Sequence, residues 1–359
     1  MTGFGVVLLV GLAAAAAMAA QISGERAVVV RDGGYFPVLD KTRSGELLAV
    51  VRGGAPHIGM EGRLDLVRSK DGGRTWSPPA VIVDSPRDDR NPAFGVSSKG
   101  TPVLLYAVAD AYKDGKFVVE TAKYDVFSTR STDGGATWET PRKVDVSPYE
   151  WASPFGKIIS LPDGTLLAPV YSGYYPMAGE KPPERQGEFA GLMRSHDDGQ
   201  TWGGISLITR HFNETALVRL ADGTLLAALR SAEGGLTAVT RSTDEGRTWS
   251  PLQEVTLKSQ HPADLILLQS GAVLMVYGCR IEPMGARARL SRDGGRTWGP
   301  EAILWDDAIN FDCGYPSSVQ LADGTIVSVY YTVGSSRNPE VGVHAAAVRY
   351  RETALEPGG

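Results

Sequence analysis

The octapeptide Ser-x-Asp-x-Gly-x-Thr-Trp occurs five times in this 359-residue chain and constrains its fold more than any other feature. The copies begin at Ser69, Ser131, Ser195, Ser242 and Ser291. They are spaced by roughly 50 to 65 residues, which is the length of one four-stranded blade of a β-propeller. Matches in register at this spacing predict a repeat architecture built from short antiparallel sheets.

The octapeptide itself is typical of a tight hairpin. Its Asp offers acceptors to backbone N–H groups, its Gly tolerates a positive φ, and the following Thr and Trp are good strand residues. A calcium-binding loop is disfavoured, because the helix-loop-helix context and a terminal bidentate Glu are missing. We therefore interpret the five Asp residues as scaffold, and we predict neither a metal site nor a cofactor.

A second repeat lies between the octapeptides and consists of an apolar strand, a short glycine turn and another apolar strand. The turn glycines are Gly45, Gly100, Gly164, Gly223, Gly271 and Gly324. These hairpins predict an all-β fold, a six-bladed β-propeller forming a single domain over residues 21–359. The last blade lacks an octapeptide, and we expect the strand around Val28–Val30 to complete it and close the ring.

Charge and the N-terminus limit the partners and the compartment. The net charge is -5 with both signs interspersed, so nucleic acid is not an expected partner. Residues 1–20 (MTGFGVVLLVGLAAAAAMAA) form an apolar run that ends in small residues, which predicts a signal peptide and a secreted or periplasmic protein without a membrane span in the mature chain. An N-terminal membrane anchor is the alternative, since the run has no preceding Lys or Arg. Cys279 and Cys313 either pair or remain free thiols.

Residues at equivalent repeat positions should form rings around the central channel of a propeller. Nine residues before the turn glycine lie Phe36, Asn91, Glu214 and Tyr315, and blade five places His261 and Asp264 nearby. Seven residues after it lie Arg52, Tyr171, Arg230 and Tyr331, with Arg280 two residues further on in blade five. These positions vary chemically from blade to blade, which predicts a binding site at one end of the channel.

The octapeptides resemble the Asp-boxes of sialidases (neuraminidases), and the likeness extends over essentially the whole mature chain. In that family a Tyr is the nucleophile, a Glu deprotonates it, three Arg bind the substrate carboxylate and an Asp is the acid/base. The resemblance assigns the nucleophile to Tyr315 and its base to Glu214. It assigns two of the carboxylate-binding Arg to Arg230 and Arg280.

Two positions depart from the sialidase pattern. Phe36 stands where the first Arg is expected, and Arg52 is the nearest replacement. His57 stands where the acid/base Asp is expected, with Glu61 and Asp65 as alternatives in the same loop.

The resemblance implies an exo-glycosidase that removes terminal sialic acid or a related acidic sugar from a glycan by a retaining Tyr/Glu mechanism. One alternative is another carbohydrate-active enzyme on the same scaffold. It would act on a different acidic or deoxy sugar, or by elimination with His57, His261 and Tyr315 as acid/base groups. A second alternative is a non-catalytic glycan-binding propeller. In each case Asn91, Tyr171, His261 and Asp264 are candidate substrate contacts beside the Arg residues.

Overall fold

The computed structural model describes residues 20–118, 122–147, 149–173 and 188–356. The predicted signal peptide therefore lies almost entirely outside the described residues. No helix within the described ranges is long and apolar enough to cross a membrane.

The described strands run through six blades in chain order. Strands β1 (Ala20–Gln21) and β2 (Glu25–Arg31) come first. Blade one contains β3 (Tyr35–Lys41), β4 (Leu47–Gly53), β5 (Arg63–Ser69) and β6 (Ala80–Val83). Blade two contains β7 (Asp88–Val96), β8 (Pro102–Asp110), a small hairpin of β9 (Tyr112–Lys113) and β10 (Lys116–Phe117), then β11 (Lys123–Arg130) and β12 (Arg142–Lys143).

Blade three has an interrupted inner edge. It contains β13 (Ser153–Pro154), β14 (Gly156–Lys157), β15 (Ile159–Ser160), β16 (Leu166–Ser172), β17 (Phe189–Ser195) and β18 (Gly203–Arg210). Strands β13 and β15 pair with β16, whereas β14 pairs in parallel with β7 of blade two.

Blades four to six are regular. Blade four contains β19 (Phe212–Arg219), β20 (Leu225–Ser231), β21 (Thr237–Ser242) and β22 (Gln253–Glu254). Blade five contains β23 (Gln260–Leu267), β24 (Val273–Cys279), β25 (Gly285–Ser291) and β26 (Ala302–Trp305), with β1 added in parallel. Blade six contains β27 (Cys313–Gln320), β28 (Ile326–Val333) and β29 (Val343–Tyr350), followed by a 3-10 helix (Glu352–Leu355).

The N-terminal strand closes the ring as predicted. Strand β2 pairs antiparallel with β29, so the order of blade six is β2-β29-β28-β27. Val29 and Val30 are buried in the apolar cluster between blades six and one. Pairing the first strand into the last blade satisfies the edge of β29 and joins the two ends of the propeller. The six-bladed all-β fold is confirmed.

The hydrophobic core is a ring of clusters, one between each pair of neighbouring blades. The strands are apolar on both faces because each blade packs against two neighbours, and β4 is buried at every position. Each octapeptide Trp packs onto a different cluster, which explains why the motif ends in a large apolar ring.

The Asp-boxes are closed hydrogen-bonded turns. In the first box the Ser69 hydroxyl donates to Asp71 Oδ1 (2.8 Å) and accepts from Gly73 N–H (2.8 Å). Thr75 donates its N–H to Asp71 Oδ1 (2.9 Å) and its hydroxyl to Oδ2 (2.6 Å). The other four boxes repeat these four bonds. Both carboxylate oxygens are occupied within the turn, and no cluster of three or more metal-ligating side chains occurs among the described residues.

Candidate active site

The inner strands of the blades begin with β-bulges that turn side chains toward the channel mouth. Phe36, Asn91 and Tyr315 have φ values of 51°, 50° and 50°, in the left-handed region that non-glycine residues rarely adopt. The register with the second strand shifts at each of these positions. Bulges of this kind re-aim a side chain at the end of a strand, and backbone strain gathers at functional sites. The predicted ring of side chains at the channel mouth therefore depends on one backbone conformation that recurs in blades one, two and six.

The centre of the site is a hydrogen-bonded group formed by Tyr315, Glu214 and Arg230. The Tyr315 hydroxyl donates to Glu214 Oε1 (2.8 Å), and Arg230 Nη1 donates to Glu214 Oε2 (2.7 Å). Arg230 Nη1 also lies 3.3 Å from the Tyr315 hydroxyl. One carboxylate oxygen is thus held by Arg230, which leaves the other facing the phenol.

Tyr315 lies in an aromatic pocket. The rings of Phe36 and Phe155 lie 4.9 Å and 5.8 Å from the Tyr315 ring, and the Tyr331 ring lies 5.6 Å away. Burial raises the pKa of Tyr315 to about 12, and the negative charge of Glu214 acts in the same direction. The phenol is therefore protonated at neutral pH, and any reaction through its oxygen requires a base beside it.

Arg280 and His261 complete the blade-five side of the site. The Arg280 guanidinium carbon lies 5.8 Å from the centre of the Tyr315 ring, and Arg280 Nη1 lies 3.3 Å from His261 Nε2. Burial, followed by the positive charges of Arg230 and Arg280, lowers the pKa of His261 to about 2. His261 is therefore neutral and accepts from Arg280, so it is not a proton donor at neutral pH. This geometry argues against the acid/base role considered for His261.

Asn91 and Tyr171 meet on the opposite side of the mouth. Asn91 Nδ2 donates to the Tyr171 hydroxyl (3.1 Å) and to Ser153 Oγ (2.8 Å). Burial and the charge of Glu214 raise the pKa of Tyr171 well above its ordinary value. Tyr171 is thus a neutral neighbour of the Tyr315–Glu214 pair, and both predicted contacts lie at the site.

His57 reaches the site from the loop that follows β4. Its Nδ1 lies 2.8 Å from Asp312 Oδ1, which also accepts from the Tyr331 hydroxyl (2.5 Å). The Phe36 ring meets the His57 ring edge-on at 4.8 Å. Phe36 therefore separates His57 from Tyr315 while contacting both. Of the two alternatives to His57, Glu61 is exposed and Asp65 is buried in β5, beside Arg63.

Arg52 does not contact the open site, contrary to its prediction as a substrate-binding residue. Its side chain is 0% exposed and forms an ion pair with Asp88 (2.7 Å). Its remaining donors bind the backbone carbonyls of Ala55, Pro56 and Gly59. A guanidinium saturated in this way has no donor for a substrate carboxylate, and it holds the loop that carries His57.

Asp264 was also predicted to contact substrate, and the structure places it below the mouth. It is buried, it pairs with Lys157 (2.8 Å), and it accepts from the Ser318 N–H (2.6 Å). The residue lies three positions beyond His261 along β23, which takes it inward along the channel.

Cys279 and Cys313 are buried free thiols.

Residues 45–328 match the family model described as a BNR repeat-like domain. The chain belongs to this family. Two curated sialidases are similar to it, and this places the BNR repeat-like propeller in the sialidase superfamily, as its sequence motifs predicted.

The relatives are longer than this chain. The sialidase of Bacteroides fragilis (strain YCH46) is 26% identical over 338 residues, covering 82% of this chain and 59% of that protein. The sialidase of Micromonospora viridifaciens is 26% identical over 363 residues, covering 90% and 54% respectively. The chain therefore spans little more than half the length of these two relatives.

One similar crystal structure is of a protein without an assigned role, and its chain is close to this one in length. A protein of unknown function from Dyadobacter fermentans DSM 18053 superposes with a TM-score of 0.77 at 26% identity, covering 90% of this chain and 97% of that one. The similarity thus extends over nearly the whole of that solved chain.

Two carboxylates of the site were missed by sequence reasoning. Asp312 binds His57. Glu188 accepts a hydrogen bond (2.6 Å) from Asn213, the residue that precedes Glu214 in the chain. Burial raises the pKa of Glu188, and the charge of Glu214 adds to the effect. Neither carboxylate occupies a repeat position, so counting from the turn glycines does not find them.

The sequence marks the start of these inner strands with prolines. A proline follows the residue that turns into the mouth in blades one, two and six, and His261 and Ser153 also precede prolines at the inner strands of blades five and three. This residue–proline pair marks the register of blade five better than the glycine offset does.

Proposed function

We propose that this BNR repeat-like propeller is an exo-glycosidase that hydrolyses a terminal acidic sugar, sialic acid or a close relative, from a glycan with retention of configuration. Tyr315 is the nucleophile and Glu214 is its base. His57 donates a proton to the leaving group, and Arg230 and Arg280 bind the carboxylate of the sugar.

The observation that carries the proposal is the hydrogen bond from the Tyr315 hydroxyl to Glu214. A phenol whose pKa is raised to about 12 is a poor nucleophile unless a base removes its proton as it attacks. Glu214 Oε1 lies at hydrogen-bond distance for that transfer. A neutral phenol also approaches an anomeric carbon that carries a carboxylate without the repulsion that an anionic nucleophile would meet.

Recognition of an acidic sugar is supported by the two cations on either side of Tyr315. Arg230 reaches the Tyr315 hydroxyl, and the Arg280 guanidinium lies over its ring. Guanidinium groups match a carboxylate in bidentate geometry. Phe36 stands where the sialidase pattern has a third arginine. The carboxylate of the sugar would therefore be held by two guanidinium groups beside an aromatic ring.

A single variant tests the nucleophile. Tyr315→Phe should lower the release of 4-methylumbelliferone from the 4-methylumbelliferyl α-glycoside of N-acetylneuraminic acid by at least about 10³-fold, because no oxygen remains to attack. Tyr330→Phe, on the neighbouring strand β28 of the same blade but stacked on Trp305, is the matched control and should retain turnover. Turnover by Tyr315→Phe within tenfold of the unaltered protein would exclude the Tyr mechanism.

The second candidate is a carbohydrate-active enzyme for another acidic or deoxy sugar. Phe36 favours it, because an aromatic ring in place of a cation suits a sugar with an apolar face. A screen of uronate- and rhamnose-containing glycans distinguishes the two candidates. If the screen yields bound glycan and no product, the protein is a glycan-binding propeller.

The compartment is a separate proposal. The apolar run in residues 1–20 supports export to the periplasm or the medium. N-terminal sequencing of the protein purified from its native cells tests this, and a retained run would contradict cleavage.

A further inference from the structure

A histidine–carboxylate pair lies at the edge of the channel mouth and joins two parts of the chain that are 255 residues apart. His57 comes from the loop after β4, and Asp312 directly precedes β27, the strand that carries Tyr315. The role argued for this pair rests on the proposed function above. Neither the octapeptides nor the glycine turns pointed to Asp312.

The pair fixes which nitrogen of His57 carries its proton. Burial favours the neutral form of Asp312, but hydrogen bonds from His57 and Tyr331 and the charge of Arg280 lower its pKa overall. An ionised carboxylate only accepts hydrogen bonds, so Nδ1 of His57 is the donor. Nε2 is then the nitrogen that gains and loses a proton. It has no hydrogen-bond partner among the described residues, and 33% of the His57 side chain is exposed.

Contacts with four other side chains hold the pair in this orientation. The Tyr331 hydroxyl donates to the same Asp312 oxygen, and the Phe36 ring packs edge-on against the imidazole. Arg90 Nη2 donates to the backbone carbonyl of His57 (3.4 Å), and Arg52 binds three further carbonyls of the loop. A ring anchored through both its backbone and Nδ1 keeps Nε2 in a constant direction.

We infer that Asp312 is a positioning residue that sets His57 to act through Nε2 as the general acid and then the general base of the reaction. In the first step the Tyr315 oxygen bonds to the anomeric carbon as the glycosidic C–O bond breaks. The phenol proton passes to Glu214, and the Nε2 proton passes to the leaving oxygen. In the second step water attacks the anomeric carbon, Nε2 takes its proton, the C–O bond to Tyr315 breaks, and Glu214 returns the proton to the phenol.

Leaving-group chemistry separates this role from a merely structural one. A general acid matters greatly for an alkyl or sugar leaving group and little for a phenolate that departs without a proton. We therefore compare kcat/KM on 3′-sialyllactose with kcat/KM on the 4-methylumbelliferyl sialoside for His57→Gln and Asp312→Asn. The control is Asp307→Asn, a buried carboxylate of the same inter-blade loop that binds Ser335 (2.6 Å) outside the site.

The expected result is a loss of about 10²-fold or more on 3′-sialyllactose and less than about tenfold on the aryl substrate, for both variants. Asp307→Asn should not change the ratio between the two substrates. Equal losses on both substrates would overturn the inference, because damage to the fold does not depend on the leaving group. If Tyr315→Phe also keeps its activity, the proposed function has failed; if only the leaving-group dependence is missing, the failure belongs to Asp312 and His57.

A second measurement does not depend on turnover. In protein labelled with ¹⁵N-histidine, the neutral His57 ring should give the nitrogen shifts of the Nδ1–H tautomer, and Asp312→Asn should shift the population toward Nε2–H. The His57→Gln spectrum assigns the signal. A neutral His57 that is already the Nε2–H tautomer in the unaltered protein would overturn the assignment of Nε2, whatever the substrate.

Discussion

The Asp-boxes at the rim and the bulges at the channel mouth come from the same repeats. The side chains are the same in every Asp-box, whereas they differ from blade to blade at the bulges. The five boxes use the same side chains in the same four hydrogen bonds. The bulges keep one backbone geometry, with φ near +50° at Phe36, Asn91 and Tyr315, and place a different residue there in each blade. The repeat thus supplies positions, and the individual blades supply the chemistry.

The largest effect that sharpens this contrast is expected at Glu214. Glu214→Gln removes the proposed base beside Tyr315, because an amide oxygen does not take up the phenol proton. We expect kcat on the 4-methylumbelliferyl sialoside to fall about 10³-fold, with the circular dichroism spectrum unchanged. A variant that is unfolded, instead of folded and inactive, would show that the mouth is scaffold like the rim.

A substitution in an Asp-box at the rim should lower stability and leave turnover unchanged. Ser195→Ala removes the acceptor of the buried Gly199 N–H and a donor to Asp197, so we expect a loss of about 1–3 kcal/mol in the free energy of unfolding. Urea denaturation measures it, and kcat per folded molecule should stay constant. Ser242→Ala, the equivalent change one blade on, should cost a similar amount. Unequal costs or lost turnover would contradict the interpretation of the boxes as equivalent scaffold.

As the pH falls, the stability contributed by His261 at the channel mouth should be lost at a higher pH than the stability contributed by the Asp-boxes at the rim. The pKa of His261 is about 2 in the folded protein and 6.5 as its ordinary value, so between these limits the unfolded chain binds one more proton. Stability attributable to His261 is therefore complete above pH 6.5 and declines below it by about 1.4 kcal/mol per pH unit. The Asp71 carboxyl behaves differently, because hydrogen bonds from Thr75 lower its pKa and its contribution persists until the pH falls below its ordinary value of 3.8.

The matching variant is His261→Gln. Between pH 7 and about pH 5 it should lose about 2 kcal/mol less stability than the unaltered protein, measured by urea denaturation at both values. The comparison at neutral pH isolates the packing cost, since His261 is neutral there when folded. Identical acid dependence in the two proteins would show that burial of this imidazole is not what limits stability at the mouth.

The sequence predicted those parts of the molecule that repeat. Blade number, ring closure and the meeting of Glu214 with Tyr315 follow from counting in register, because each is fixed by a residue's position within its own blade. Arg230 was found in the same way, two blades from Tyr315. Its role as a carboxylate ligand stays a prediction.

The predicted site residues that bind other side chains in the structure do so through neighbours that counting cannot supply. Arg52 occupies the same column as Arg230, but Asp88 of the next blade pairs with it and the loop carbonyls saturate it. Asp264 is taken by Lys157 across the channel. Asp312 reaches His57 through folded loops of different blades, a contact with no periodic signature. In physical terms, side-chain pairing between blades decides which polar residues remain available to a ligand.

The closure of blade six by β2 sets an order of assembly. The sheet that carries Tyr315 takes its outer strand from Glu25–Arg31 and its adjacent strand from Val343–Tyr350. The first of these is synthesised before blades one to five and the second after them. Blades one to five can form in sequence as the chain emerges, but the sheet that carries Tyr315 cannot be complete until Tyr350 has been synthesised. The sheet that carries Tyr315 is thus the last part of the ring to be completed.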